Sequence, residues 1–109
     1  MTDVEIFKKI VFEMVELFEK KNSNYGNSFE KLYKELGSIA GLVPLHNKLS
    51  RATNIIRSGK NEFESLEDTF KDLAVYSIMN LIELYREHAD NKPVKKKIIL
   101  NEDVQDTDI

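Results

Sequence analysis

The chain is 109 residues long, 41% hydrophobic and 32% charged, with a net charge of −3 and a pI near 5.4. That length fits one domain, and the acidic balance excludes a general nucleic-acid binder, which carries a basic excess. The absence of Cys excludes disulfides, zinc–thiolate and iron–sulfur sites and thiol nucleophiles. No apolar run approaches the roughly 18–20 residues of a membrane span, and Met1 to Lys9 lacks the apolar stretch of a signal peptide. A soluble, cytoplasmic protein with no membrane partner is the expectation.

Only 4 Gly and 2 Pro interrupt a chain rich in Lys, Glu and Leu, which favours helices over a many-turned β fold. A first helix is predicted from Thr2 or Asp3, either of which can cap it, to Asn22. Its apolar stripe is Phe7, Ile10, Val11, Met14, Val15 and Phe18. Residues 22–28 read as punctuation, because Asn and Gly tolerate positive φ and Ser and Asn bond back to the backbone. Ser28 then caps a short second helix, Phe29 to Leu36, which Gly37 ends. Ser38 to Pro44, broken by Gly41 and Pro44, is expected to be a buried loop or a short helical turn. A third helix follows from Pro44 or Leu45 to Ser58, stopped by Gly59. The longest helix is predicted from about Leu66 to Ala89, with Ser65 at its cap. The domain therefore covers residues 1–90. Residues 91–109, basic, then apolar, then acidic, are expected to be a flexible tail or a short strand against another copy.

On a wheel of about 100° per residue, Leu66, Phe70, Leu73, Ser77, Leu81 and Leu84 share one side of the long helix. Val75, Met79 and Ile82 lie roughly opposite. A helix apolar on two sides is buried on two sides, so the second side must meet another helix of the bundle or another subunit. The expected architecture is an all-α bundle of three to four helices, assembled as a homo-oligomer.

Asp68 and Asp72 lie one turn apart on the second side. They either cap the helix and meet a Lys or Arg, or coordinate Mg²⁺, which takes one or two carboxylates and keeps several waters. Glu13 and Glu16 form a further acidic pair, read first as a solvated face. Lys21 and Asn22 continue the apolar stripe of the first helix, and Tyr25 and Ser28 follow. Lys48 and Arg51, three apart, share a flank of the third helix. Lys and Arg hold phosphate by point charge and by fork geometry, and an aromatic ring such as Tyr25 can stack on a base. Alternatively, Lys48 and Arg51 neutralise Asp68 and Asp72 as structural ion pairs. His46 and His88 are isolated. Tyr76 reads as core rather than as a catalytic group. No Walker loop, dinucleotide glycine fingerprint or nucleophile elbow is present.

Three segments carry a family resemblance. Lys21-Asn22-x-x-Tyr25-Gly26-x-Ser28-Phe29 comes first, then Lys48-x-x-Arg51, then Glu64-Ser65-x-x-Asp68-Thr69-x-x-Asp72-Leu73-Ala74-x-Tyr76. In this order and over about residues 12–87 the chain resembles the nucleotide modification associated domain 1 family, small proteins common in phages and prophages. More distantly it is similar to MazG-type all-α NTP pyrophosphatases, which hold Mg²⁺ on an E-x-x-E and an E-x-x-D helix. Glu13-x-x-Glu16 matches the first element, while the second is here Glu64, Asp68 and Asp72 at four-residue steps. The resemblance implies a nucleotide or nucleotide-derived ligand. Lys21, Lys48 and Arg51 would meet its phosphates, with Asn22, Tyr25, Ser28 and Tyr76 around it. Asp68 and Asp72 would hold Mg²⁺, with Glu16 or Glu64 activating water if the ligand is hydrolysed. The alternatives are a sponge that sequesters a nucleotide signal of host defence without turnover, and a helical protein-interaction module.

Overall fold

The structure, a computed structural model, describes residues 1–25 and 27–91, the side chains of residues 23–25, 90 and 91 excepted. The expected tail from residue 92 on and the Tyr25 ring therefore lie outside the described residues, while Asn91, assigned to the tail, is the last residue of the fourth helix. Four helices follow one another: α1 (Asp3–Tyr25), α2 (Ser28–Leu36), α3 (Ser38–Ser58) and α4 (Phe63–Asn91). The described residues are all-α.

Local chemistry accounts for the ends. Thr2 and Glu5 form a reciprocal capping box: the Glu5 N–H donates to Thr2 Oγ1 and the Thr2 N–H donates to Glu5 Oε2, both at 3.1 Å. Gly59, at φ 70°, is left-handed, and its N–H reaches the Ile56 carbonyl. Gly37, at φ 85°, ends α2 and starts α3 in a single residue. Both glycine stops were expected, and both use a φ that side-chain-bearing residues rarely adopt.

Four boundaries differ from expectation. α1 continues past Asn22 to Tyr25. Ser28 is the first residue of α2, and Asn27 stands at its cap without a side-chain bond. α4 begins at Phe63, so Ser65 lies within it and its carbonyl accepts the Thr69 hydroxyl at 2.7 Å. The largest change is Ser38 to Pro44, which forms the first two turns of α3 with Pro44 inside the helix. An interior proline leaves the carbonyl four residues earlier without its helical donor and costs about 3 kcal/mol. Packing of those turns offsets it, since Ala40 and Gly41 are both buried.

α3 and α4 form an antiparallel hairpin joined by residues 59–62. Three rungs fix its register: Arg51 to Thr69, Lys48 to Asp72 and Gly41 to Asn80. The paired residue numbers fall on one side as they rise on the other. The seam is made of small residues, Ala40, Gly41, Ala52 and Thr69, which allow close approach. Asn80 Nδ2 donates to the carbonyls of Gly41 and Tyr76, at 2.9 and 2.8 Å. α2 is tied to α4 by ring contacts of Phe29 with Tyr76, and by Arg86, which meets Glu30 of α2 and the buried Glu83 of its own helix. α1 leans on the first half of α4 through Lys21–Asp72 and Lys71–Glu13.

The two-sided reading of α4 is half fulfilled within one chain. Val75 is buried, and Met79 and Ile82 are partly covered. On the other side Phe70, Leu81 and Leu84 remain half or more exposed.

Candidate functional site

The second side of α4 faces a cavity of about 620 Å³ to which all four helices contribute. α1 supplies Phe18, Lys21 and Asn22, and α2 supplies Ser28, Phe29, Leu32 and Leu36. α3 supplies Ile39, Ala40, Val43, Pro44 and Lys48, and α4 supplies Asp72, Val75, Tyr76 and Met79. The hairpin register sorts these by character. Lys48 and Asp72 stand together at one end. Two turns along, about 10 Å at the rise of a helix, Ala40 and Met79 stand near the Gly41–Asn80 rung. One end is therefore charged and the other apolar, with Tyr76 and the Phe29 ring beside it between them.

The charged end is a closed ion triad. Lys21 Nζ meets Asp72 Oδ1 at 2.7 Å and Lys48 Nζ meets Oδ2 at 2.9 Å. Burial alone would raise the Asp72 pKa, but the hydrogen bonds from Lys21 and Lys48, with their charges, outweigh it. They hold the carboxyl below its ordinary value. Each ammonium has three donors and spends one on Asp72. The remaining donors, with the side chains of Asn22 and Ser28 on the same lining, make a recess suited to an anionic oxygen.

The sequence-predicted residues separate into three places. Lys21, Asn22, Ser28, Lys48, Asp72 and Tyr76 share this cavity. Asp68 does not: it lines a groove on the other side of α1 with Glu13, Glu16, Glu19, Lys20 and Lys71. α1 is the divider, with Leu17 on the groove and Phe18 on the cavity. Arg51 faces a third recess with Asn54, Glu62 and Ser65, and its Nε donates to Thr69 Oγ1 at 3.2 Å. The ion-pair alternative for Lys48 is met at Asp72, while Arg51 finds a hydroxyl instead of Asp68. Glu64 is exposed in the first turn of α4.

This division bears on the expected Mg²⁺. Asp68 and Asp72 are not a common ligand set, and both oxygens of Asp72 are engaged by ammonium groups. Lys71 stands in the acidic groove and pairs with Glu13 and Glu67. Among the described residues no group of three or more His, Cys, Asp or Glu is placed to hold a metal ion. Asp72 as it stands is a partner of two lysines rather than an open cation ligand.

Sequence reasoning missed the apolar wall. Leu36 stood only as the end of the predicted second helix, and Ile39, Ala40 and Val43 fell in the expected loop. It also missed Thr69, which is 2% exposed and joins α3 to α4 through Arg51. The signal for the wall was a helical spacing continuous across Pro44, from Ile39 through Val43 to the third helix.

Fold and cavity define a small all-α protein with an amphipathic pocket that is charged at one end. The sequence profile of the nucleotide modification associated domain 1 family matches residues 21–84, more than half of the chain, and the chain belongs to that family. The matched span holds Lys21, Lys48, Asp72 and the apolar wall from Phe29 to Met79. Neither curated proteins nor solved structures give a match. Among the described residues no helix is long and apolar enough to cross a membrane.

Proposed function

We propose that this protein binds a phosphorylated nucleoside in the four-helix cavity and holds it without turnover. The observation that carries the reading is the pairing of two ammonium groups, Lys21 and Lys48, with an apolar and aromatic wall in one recess. Small-molecule sites are mostly apolar clefts of some 300–1,000 Å³ with a few placed polar groups. The phosphate sits at the charged end and the base lies against Phe29, Tyr76, Val75 and Met79. The family's association with nucleotide modification agrees with this ligand class. Sequestration is preferred to Mg²⁺-assisted hydrolysis because the carboxylate on the cavity lining, Asp72, has both oxygens on Lys21 and Lys48.

Titration calorimetry against nucleotides of the common bases tests the binding. Saturable binding is expected, weakened at least about tenfold by Lys21→Met or by Lys48→Met, since a hydrogen bond to a charged group contributes about 1.5–3 kcal/mol. Chromatography after incubation with Mg²⁺ should return the nucleotide intact. Product formation overturns the sequestration reading, and the absence of binding overturns the ligand class.

The same reading includes self-association. The exposed stripe of α4 and the exposed first turns of α1, Val4 and Phe7 among them, are the faces a second copy would cover.

A further inference from the structure

We propose that Asp72 sets the charge of the ligand this cavity accepts. The preferred class is then a nucleotide carrying a singly charged phosphodiester rather than a free triphosphate. The inference rests on the nucleotide reading above and deepens it.

The ionised side chains lining the cavity are Lys21, Lys48 and Asp72, a sum of one positive charge. A phosphodiester brings one negative charge spread over two non-bridging oxygens. Two ammonium groups stand on the two oxygens of a single carboxylate, each with donors to spare. A diester can take one donor from each lysine while Asp72 keeps its own pair, and the site is then neutral. A triphosphate brings several charges into the same space. The first is compensated, and the rest meet the Asp72 carboxylate and a chain whose net charge is −3. Triphosphates ordinarily offset such charge with a divalent cation, and the carboxylate on this lining, Asp72, has both oxygens engaged by lysines. Asp72 is partly buried, its side chain 17% exposed. Water therefore screens its repulsion of a second anion less than at an open surface.

The test is calorimetry in EDTA with two panels spanning the same four bases: 3′,5′-cyclic nucleoside monophosphates and dinucleoside monophosphates against nucleoside triphosphates. For wild-type protein the tightest diester should bind at least about tenfold more tightly than the triphosphate of the same base. Asp72→Asn removes the carboxylate charge, and the ratio should move about fivefold or more toward the triphosphate, because each additional ligand charge gains from the lost repulsion. Triphosphates binding as tightly as diesters to the wild type overturn the inference and leave the nucleotide reading standing. A ratio unchanged in a folded Asp72→Asn protein also overturns it. If that variant does not fold, the wild-type ratio decides alone. Failure of every member of both panels overturns the inference and the nucleotide reading together.

Discussion

At the scale of single residues, Asp72 joins stability to the cavity. Its carboxyl titrates below the ordinary value of 3.8 because two lysines hold the anion against the cost of burial. The sign follows from linkage: a group whose pKa is lower in the folded state stabilises fully above its unfolded pKa. That stabilisation is lost as pH falls through the folded pKa. Urea melts of the wild type and of Asp72→Asn should therefore differ most near neutrality, and the gap should close below about pH 4, where an unpaired Asp is protonated. A gap independent of pH would mean that the triad does not hold the anion. The participants were legible from residue type and spacing, since Lys48 and Asp72 were candidates from the outset. Their partition was not. Residues three apart on a helix differ by about 60°, enough for Lys48 to turn to the cavity and Arg51 to Thr69. Asp68 and Asp72 differ by only about 40°, yet α1 lies between their recesses. No periodicity within one helix states where another helix crosses it.

At the scale of elements, the hairpin seam depends on Gly41. A Cβ there would meet Asn80 Oδ1 and stand 3.1 Å from the Tyr33 ring. Asn80 is not free to swing away, because its Nδ2 is bonded to the Gly41 and Tyr76 carbonyls. Gly41→Ala gains helix propensity, about 1 kcal/mol. It forces the hairpin apart or breaks those bonds, and overpacking of this kind costs about 1–3 kcal/mol. A lower thermal midpoint is expected from circular dichroism. A midpoint equal to or above that of the wild type would show that the seam tolerates a methyl group. The same element explains the misread loop. Gly41 and Pro44 are breakers by local propensity, and local propensity is all that a short window contains. Within the fold, Gly41 is needed for close approach to Asn80, and the proline's lost bond is offset by tertiary burial of Ala40 and Gly41. The four amphipathic helices themselves were readable, because apolar spacing at 3.6 residues survives wherever one face is buried.

At the scale of the whole molecule, the described residues of one copy leave large apolar side chains exposed. Among the described residues the buried apolar side chains are Met14, Tyr33, Ala40, Ala52 and Val75, of which two are alanines. Meanwhile Phe70, Leu81 and Leu84 are 53%, 61% and 50% exposed along one side of α4. These three lie at steps of 11 and 3 residues, which keeps them on one stripe about 21 Å long. Exposed apolar side chains grouped on one side of a helix mark a candidate association surface. A two-fold pairing would bury the same stripe on both copies, the commonest arrangement for small homo-oligomers. Light scattering after gel filtration should give a mass of two or more chains. Association that occurs only in the folded state stabilises it by mass action, so the thermal midpoint should rise with protein concentration. Leu81→Glu places a charge in the C-terminal half of the stripe, facing away from the cavity residues Val75, Tyr76 and Met79. It should shift the species toward one chain and remove the concentration dependence, while any nucleotide binding measured for the wild type should be retained by a folded monomer. A wild type that runs as one chain at high concentration, with a constant midpoint, would show that the α4 stripe is not a self-association surface.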